Sequence, residues 1–195
     1  MSFEQTVIQC ASPALCGLKP ANLFSIRTEM LEEARDYLSN LKRTIKCQGK
    51  DILIIQRGSS TKLLFVYDVK LLSEVLKNYE AIFYLKSKGY PVEDGFISLL
   101  EELVRRLTDE REFPHEIGIF LGYPMEDVIG FETFGGRNCL YHGSWAVYSN
   151  VERARKQMNL YSDCCMACSR MLEKGIKISE IEKNYRFMKK VKGNF

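Results

Sequence analysis

The chain is poor in the residues that most often carry chemistry. It has two histidines, His115 and His142, and a single tryptophan among 195 residues. A histidine-rich metal site is therefore excluded, and imidazole catalysis can fall only to one of two positions. Long apolar runs are also missing. None, Leu63 to Tyr67 and Ala81 to Leu85 included, exceeds five residues, against about 20 for a membrane-spanning helix. The N-terminus, MSFEQTVIQC, has no basic flank leading into an apolar stretch. It does not read as a signal peptide, so a cytoplasmic location is expected. Neither charge sign dominates: 28 basic residues face 25 acidic ones, a net of +3. Such a balance does not point to nucleic acid. Neither Gly-x-Gly-x-x-Gly nor Gly-Lys-Ser/Thr occurs, so both nucleotide fingerprints fail and no cofactor is expected.

What is present is globular. Apolar residues make up 46% and charged residues 27%, proportions of an ordinary folded chain. The expectation is one domain over residues 1–175, followed by a basic helical tail over 176–195. From Arg170 onward eight basic residues meet three acidic ones, +5, which leaves 20 basic and 22 acidic residues upstream, −2. In the tail, Lys183, Arg186, Lys189 and Lys190 are interleaved with Tyr185, Phe187 and Phe195. That composition suits an acidic protein partner through charge steering.

Periodicity sets out the elements. Pro13, Gly17 and Pro20 predict an irregular segment over 2–22. A helix is expected over 25–43, with Leu31, Ala34, Leu38 and Leu41 on one face. The runs DILIIQR (51–57) and KLLFVYD (62–68) flank a Gly-containing loop and predict an antiparallel hairpin over 51–68. Helices are predicted over 69–86 and 92–108. The alternation of Glu116 to Gly122 predicts a strand. Pro124 opens a short helix, and Cys139 to Tyr148 predicts a fourth strand. Ser149 with Glu152, and Ser179 with Glu182, read as capping boxes for the last two helices. The order implies an α+β fold, a small mixed sheet of about four strands covered by amphipathic helices.

Three groupings could carry chemistry. Cys164-Cys165-Met166-Ala167-Cys168 contains a Cys-x-x-Cys pair, half of a metal or redox site. The 3,4 spacing of the apolar positions places Cys165 and Cys168 in the buried stripe of a helix, where cysteine behaves as a small hydrophobe. Next, His115 at a strand end, with Glu116 and Asp127 nearby in sequence, supplies the residue types of a Cys–His–acid relay if Cys10 approaches it. In that reading Cys10 is nucleophile, His115 base, and Glu116 or Asp127 the orienting acid. Finally, Lys19, His115, Tyr123, Asp127 and Tyr148 form a polar-aromatic set suited to a ligand or partner surface. Ser59-x-x-Lys62 has the spacing of acylating serine enzymes, but it sits in a hairpin loop without the companion motifs.

The run Phe113-Pro-His-Glu-Ile-Gly-Ile-Phe-Leu-Gly-Tyr-Pro124, followed by Glu126-Asp-Val-Ile-Gly-Phe131, resembles the signature of an uncharacterised bacterial family. The family is that of domain of unknown function 3793, found largely in clostridia and related anaerobes. Cys10, Pro13, Leu15, Gly17, Leu18, Lys19 and Asn22-Leu23-Phe24 resemble its N-terminal block, and Gly143, Trp145, Val147 and Tyr148 its closing block. The resemblance implies a small cytosolic accessory protein of redox or iron metabolism, with an acidic partner such as flavodoxin. Beside that reading stand a cysteine-dependent hydrolase or transferase, and a metal or iron–sulfur protein using Cys164, Cys165 and Cys168.

Overall fold

The computed structural model describes residues 1–192; the last three residues of the tail, including Phe195, lie outside them. The fold is α+β, as the element order implies. It has ten helices among the described residues, a three-stranded sheet and a two-stranded one. The chain divides into two compact units. The first comprises Met1–Val69 and the residues from Leu160 onward, and the second comprises Lys70–Asn159.

In the first unit, α1 (Phe3–Leu15) is followed by β1 (Ala21–Arg27), α2 (Thr28–Glu33), α3 (Arg35–Lys46), β2 (Lys50–Gln56) and β3 (Thr61–Asp68). The sheet order is β1-β3-β2, and both pairings are antiparallel. The sheet is thus antiparallel throughout rather than mixed. The expected hairpin is β2–β3, turned at Gly58 with φ 79°. β3 is the middle strand, and its residues 63–68 are buried on both faces, which explains its unbroken apolar run.

Two expectations here need correction. Residues 2–22 are not irregular. Ser2 and Gln5 close a capping box, and α1 runs 13 residues with Pro13 in its last turn. The helix expected over 25–43 begins three residues later, because β1 continues to Arg27 in register with Thr61. Sheet pairing overrides local helical propensity there.

α9 (Val151–Glu173) and α10 (Ile178–Lys192) complete the chain, with the boundary between the units falling inside α9. Asn150 caps α9, its Oδ1 accepting from Arg153 N at 2.9 Å; Ser149, the expected cap, instead bonds Asp127. From α10, Ile178, Ile181 and Tyr185 are buried in the first unit's core with Val7, Ile8, Leu15 and Ile52.

The second unit opens with all but the first residue of α4 (Val69–Val75), then α5 (Tyr79–Ser87), a 3-10 turn and α6 (Phe96–Thr108). The strand expected over 116–122 is a helical turn, α7 (Ile117–Phe120). All five residues from Ile117 to Leu121 are buried, so alternation there carried no two-faced signal. Gly122, at φ 74°, ends the turn, and Tyr123 N bonds Gly118 O at 2.9 Å. α8 (Met125–Phe134) follows Pro124 and stops at left-handed Gly135. The strand expected over 139–148 is instead a hairpin of two-residue strands, β4 (Tyr141–His142) and β5 (Ala146–Val147), bent at Gly143. A side chain at Gly143 would collide with Met158.

Candidate metal centre

Cys164 and Cys168 stand one helical turn apart on the inner side of α9, and their Sγ atoms are 4.0 Å apart. Cys16, at the C-terminal cap of α1, brings its Sγ to 3.6 Å from that of Cys168. All three sulfurs lie within 4.8 Å of one another. Cys16 is 3% exposed and the other two are fully buried. The buried face of α9 therefore carries 164 and 168, whereas Cys165, expected in that stripe, is only half-buried.

The spacing has a direct chemical meaning. Three thiolates on one zinc-sized ion, with metal–sulfur bonds of about 2.3 Å, stand about 3.8 Å apart in a tetrahedron and about 4.0 Å apart in a trigonal plane. The 3.6 and 4.0 Å separations from Cys168 fall around these values. Iron–sulfur clusters take four cysteines, and this group offers three, close enough to share a single atom.

The surroundings are apolar, with two polar neighbours. Ser12 donates its hydroxyl to Ile8 O at 2.5 Å and lies against Cys168. Tyr185, from α10, is 2% exposed, and its hydroxyl meets no oxygen or nitrogen partner among the described residues, with the Cys164 thiol beside it. It lies beside the thiols: after burial itself, Cys164 and then Cys16 and Cys168 push its ionisation up. The three thiols share protons unequally. Hydrogen bonds from Cys16 and then Cys164 draw Cys168 down, while its neighbours and burial hold Cys16 up.

Lys19 belongs to the same unit, and it is 6% exposed. Its ammonium sits 5.6 Å from the Tyr161 ring centroid. Burial draws its pKa down to about 8, partly offset by Cys165. Cys10 is half-buried in α1, and burial pushes its thiol up, the opposite direction from an activated nucleophile.

The candidates His115, Glu116, Tyr123, Asp127 and Tyr148 lie in the second unit, and the basic residues of the tail lie in the first. His115 is an exposed residue before α7, its ring edge-on to Phe131 at 5.1 Å. Glu116 is buried and accepts from Arg106 Nη1 at 2.8 Å and the Tyr90 hydroxyl at 3.1 Å. Asp127 is 2% exposed. It accepts from Trp145 Nε1 at 2.8 Å, Tyr148 N at 2.8 Å, Ser149 N at 3.2 Å and the Ser149 hydroxyl at 3.1 Å. Tyr123 stacks on Trp145 at 4.8 Å, and Tyr148 on Phe134 at 5.8 Å. A cleft of about 270 Å³ beside His115 is lined by Lys88, Arg105 and Arg106, which pair with Glu132, Glu102 and, for Arg106, also Glu116.

Sequence reasoning missed Cys16 and Tyr185 as members of the thiol site. Periodicity placed Cys168 correctly but chose Cys165 over Cys164 as its buried partner, and nothing local links residue 16 to residue 168.

In comparison with known families, residues 7–182 match the profile of one described as "Protein of unknown function (DUF3793)". No curated protein and no solved structure matches the chain. The matched stretch contains all three buried cysteines and ends before Tyr185.

Proposed function

The chain belongs to the DUF3793 family, and from that premise we propose that it is a binding protein for a single thiophilic ion, held by Cys16, Cys164 and Cys168. The observation that carries this reading is the set of three buried sulfurs within 4.8 Å. Thiolates select soft ions, and binding to a folded site of three ligands couples ion affinity to stability. The test is retention of one equivalent of ion by the reduced, anaerobically handled chain after desalting, with Zn²⁺, Cu⁺ and arsenite supplied in turn. Loss of retention in Cys16→Ala and Cys168→Ala, but not in Cys47→Ser at an exposed position, supports the reading. No retained ion from any of the three overturns it.

A second reading concerns partners. On α10, Lys183, Arg186, Lys189 and Lys190 are exposed, with Phe187 at 69% exposure among them. This face suits an acidic protein such as flavodoxin, in keeping with an accessory role in redox or iron metabolism. Capture of flavodoxin at low salt that fades as salt rises supports it, since exposed charge pairs weaken under screening. No capture at low salt counts against it.

A further inference from the structure

We propose that the thiol site selects trivalent arsenic, offered as arsenite, over zinc and monovalent copper. This rests on the ion-binding reading above and names the class of ion. The basis is charge. Three thiolates leave a net charge of −1 around Zn²⁺ and −2 around Cu⁺, but none around As(III). A net charge in an apolar interior is opposed by lost hydration unless another group compensates it.

Compensation is weak at this site. Cys164 and Cys168 are fully buried and Cys16 nearly so. Besides burial, the groups that act on these three sulfurs are one another, the Cys165 thiol beside Cys164 and the Ser12 hydroxyl beside Cys168, none of them a cation. Lys19 acts instead on Cys165. Cys16 is also the C-terminal cap of α1, where the helix dipole presents its negative end. The local field therefore works against an anionic complex. The three sulfurs complete the coordination that As(III) needs, and the Tyr185 hydroxyl beside them need not serve as a fourth ligand. Zinc in structural sites is almost always four-coordinate, and the group offers three cysteines.

The reaction is a ligand exchange without change of oxidation state. Arsenous acid, As(OH)₃, meets three thiols. Three As–S bonds form, three As–O and three S–H bonds break, and each hydroxide leaves with a thiol proton as water. No oxidant or reductant is required.

The test uses the full reduced chain under anaerobic conditions. Arsenite is expected to add one arsenic atom with loss of three hydrogens, read by native mass spectrometry. At equal concentration it should outcompete zinc and Cu⁺ by about tenfold or more. Alkylation carried to completion in the arsenite-free chain should, in the arsenite-treated wild-type chain, leave Cys16, Cys164 and Cys168 unmodified among the seven cysteines, a readout independent of whether variants fold. If zinc or Cu⁺ wins the competition at the same three cysteines, the arsenic inference is overturned and ion binding stands. If arsenite protects other cysteines, or no ion is retained, the site itself is overturned.

Discussion

Lys50 Nζ lies 2.6 Å from Glu182 Oε2, an ion pair joining the first residue of β2 to α10. Lys50 is 2% exposed, and Asp68 Oδ2 stands 3.6 Å from the same ammonium. Three residues on from Glu182, on the same side of α10, Tyr185 reaches the thiol cluster. The pair thus fixes the helix that closes the candidate site.

Lys50→Met should destabilise the protein by about 3–5 kcal/mol, because it leaves two carboxylates facing an apolar replacement. Chemical unfolding measures this directly. Lys50→Met combined with Glu182→Gln should recover part of the loss; equal or greater loss in the double variant would show that the pair is not the source.

Ion binding should be visible as stability. At free ion a hundredfold above Kd, the unfolding free energy should rise by about 2.7 kcal/mol. A chelator or competing dithiol should remove the gain, and Cys168→Ala should never show it. A thermal melt indifferent to ion in the wild-type chain would contradict the prediction.

Lys19 should make stability climb in alkali. Its pKa in the folded state, about 8, lies below the ordinary 10.5. Between these values the unfolded chain holds more protons, so stability rises with pH across that window. Lys19→Met removes the charged form altogether. It should be more stable than wild type at pH 7 by up to about 3 kcal/mol, at about 1.4 kcal/mol for each pH unit separating the two values. The gap should close near pH 10.5. Urea unfolding of both proteins at pH 7, 9 and 10.5 checks it, and a gap constant with pH would refute the assignment.

Asp127→Ala should unfasten the β4–β5 hairpin in the second unit. It strips the acceptor from Trp145 Nε1 and from two backbone N–H groups, at about 1–3 kcal/mol for each donor left unsatisfied. Trp145 is the only tryptophan, so its emission should shift to the red as the indole meets water. Unchanged emission and stability would show that Asp127 does not organise the hairpin.

Gly130→Ala should cost about 1–3 kcal/mol by overpacking, since the new methyl would collide with the Tyr148 ring. A stabilised variant, measured by the same unfolding, would mean that Tyr148 turns away without cost.

Legibility followed the range of the signal. The hairpin over 51–68, the helix after Pro124 and the 3,4 repeat of α9 were readable because each depends on neighbours in sequence. The 116–122 segment was misread because burial on all sides erases the difference between a strand and a helical turn. The capping box at Ser2 and Gln5 was present to be read, but Pro13 masked it. Asp127 reads from sequence as an acid near His115, yet its four donors come from residues 145–149, which only the folded hairpin brings to it.

By itself, then, the amino-acid order determined the α+β class, the β2–β3 pairing, the lack of a membrane-length apolar run and the inward placement of Cys168 on its helix. These are consequences of backbone periodicity and local turn chemistry. The tertiary structure alone decided that Cys16 completes the thiol group and that Tyr185 lies over it. It also decided that Lys50 meets Glu182. Cys16 and Cys168, like Lys50 and Glu182, are more than 100 positions apart, and Tyr185 comes to Cys164 from the following helix; such meetings are set by how the helices and sheet bury their apolar faces together.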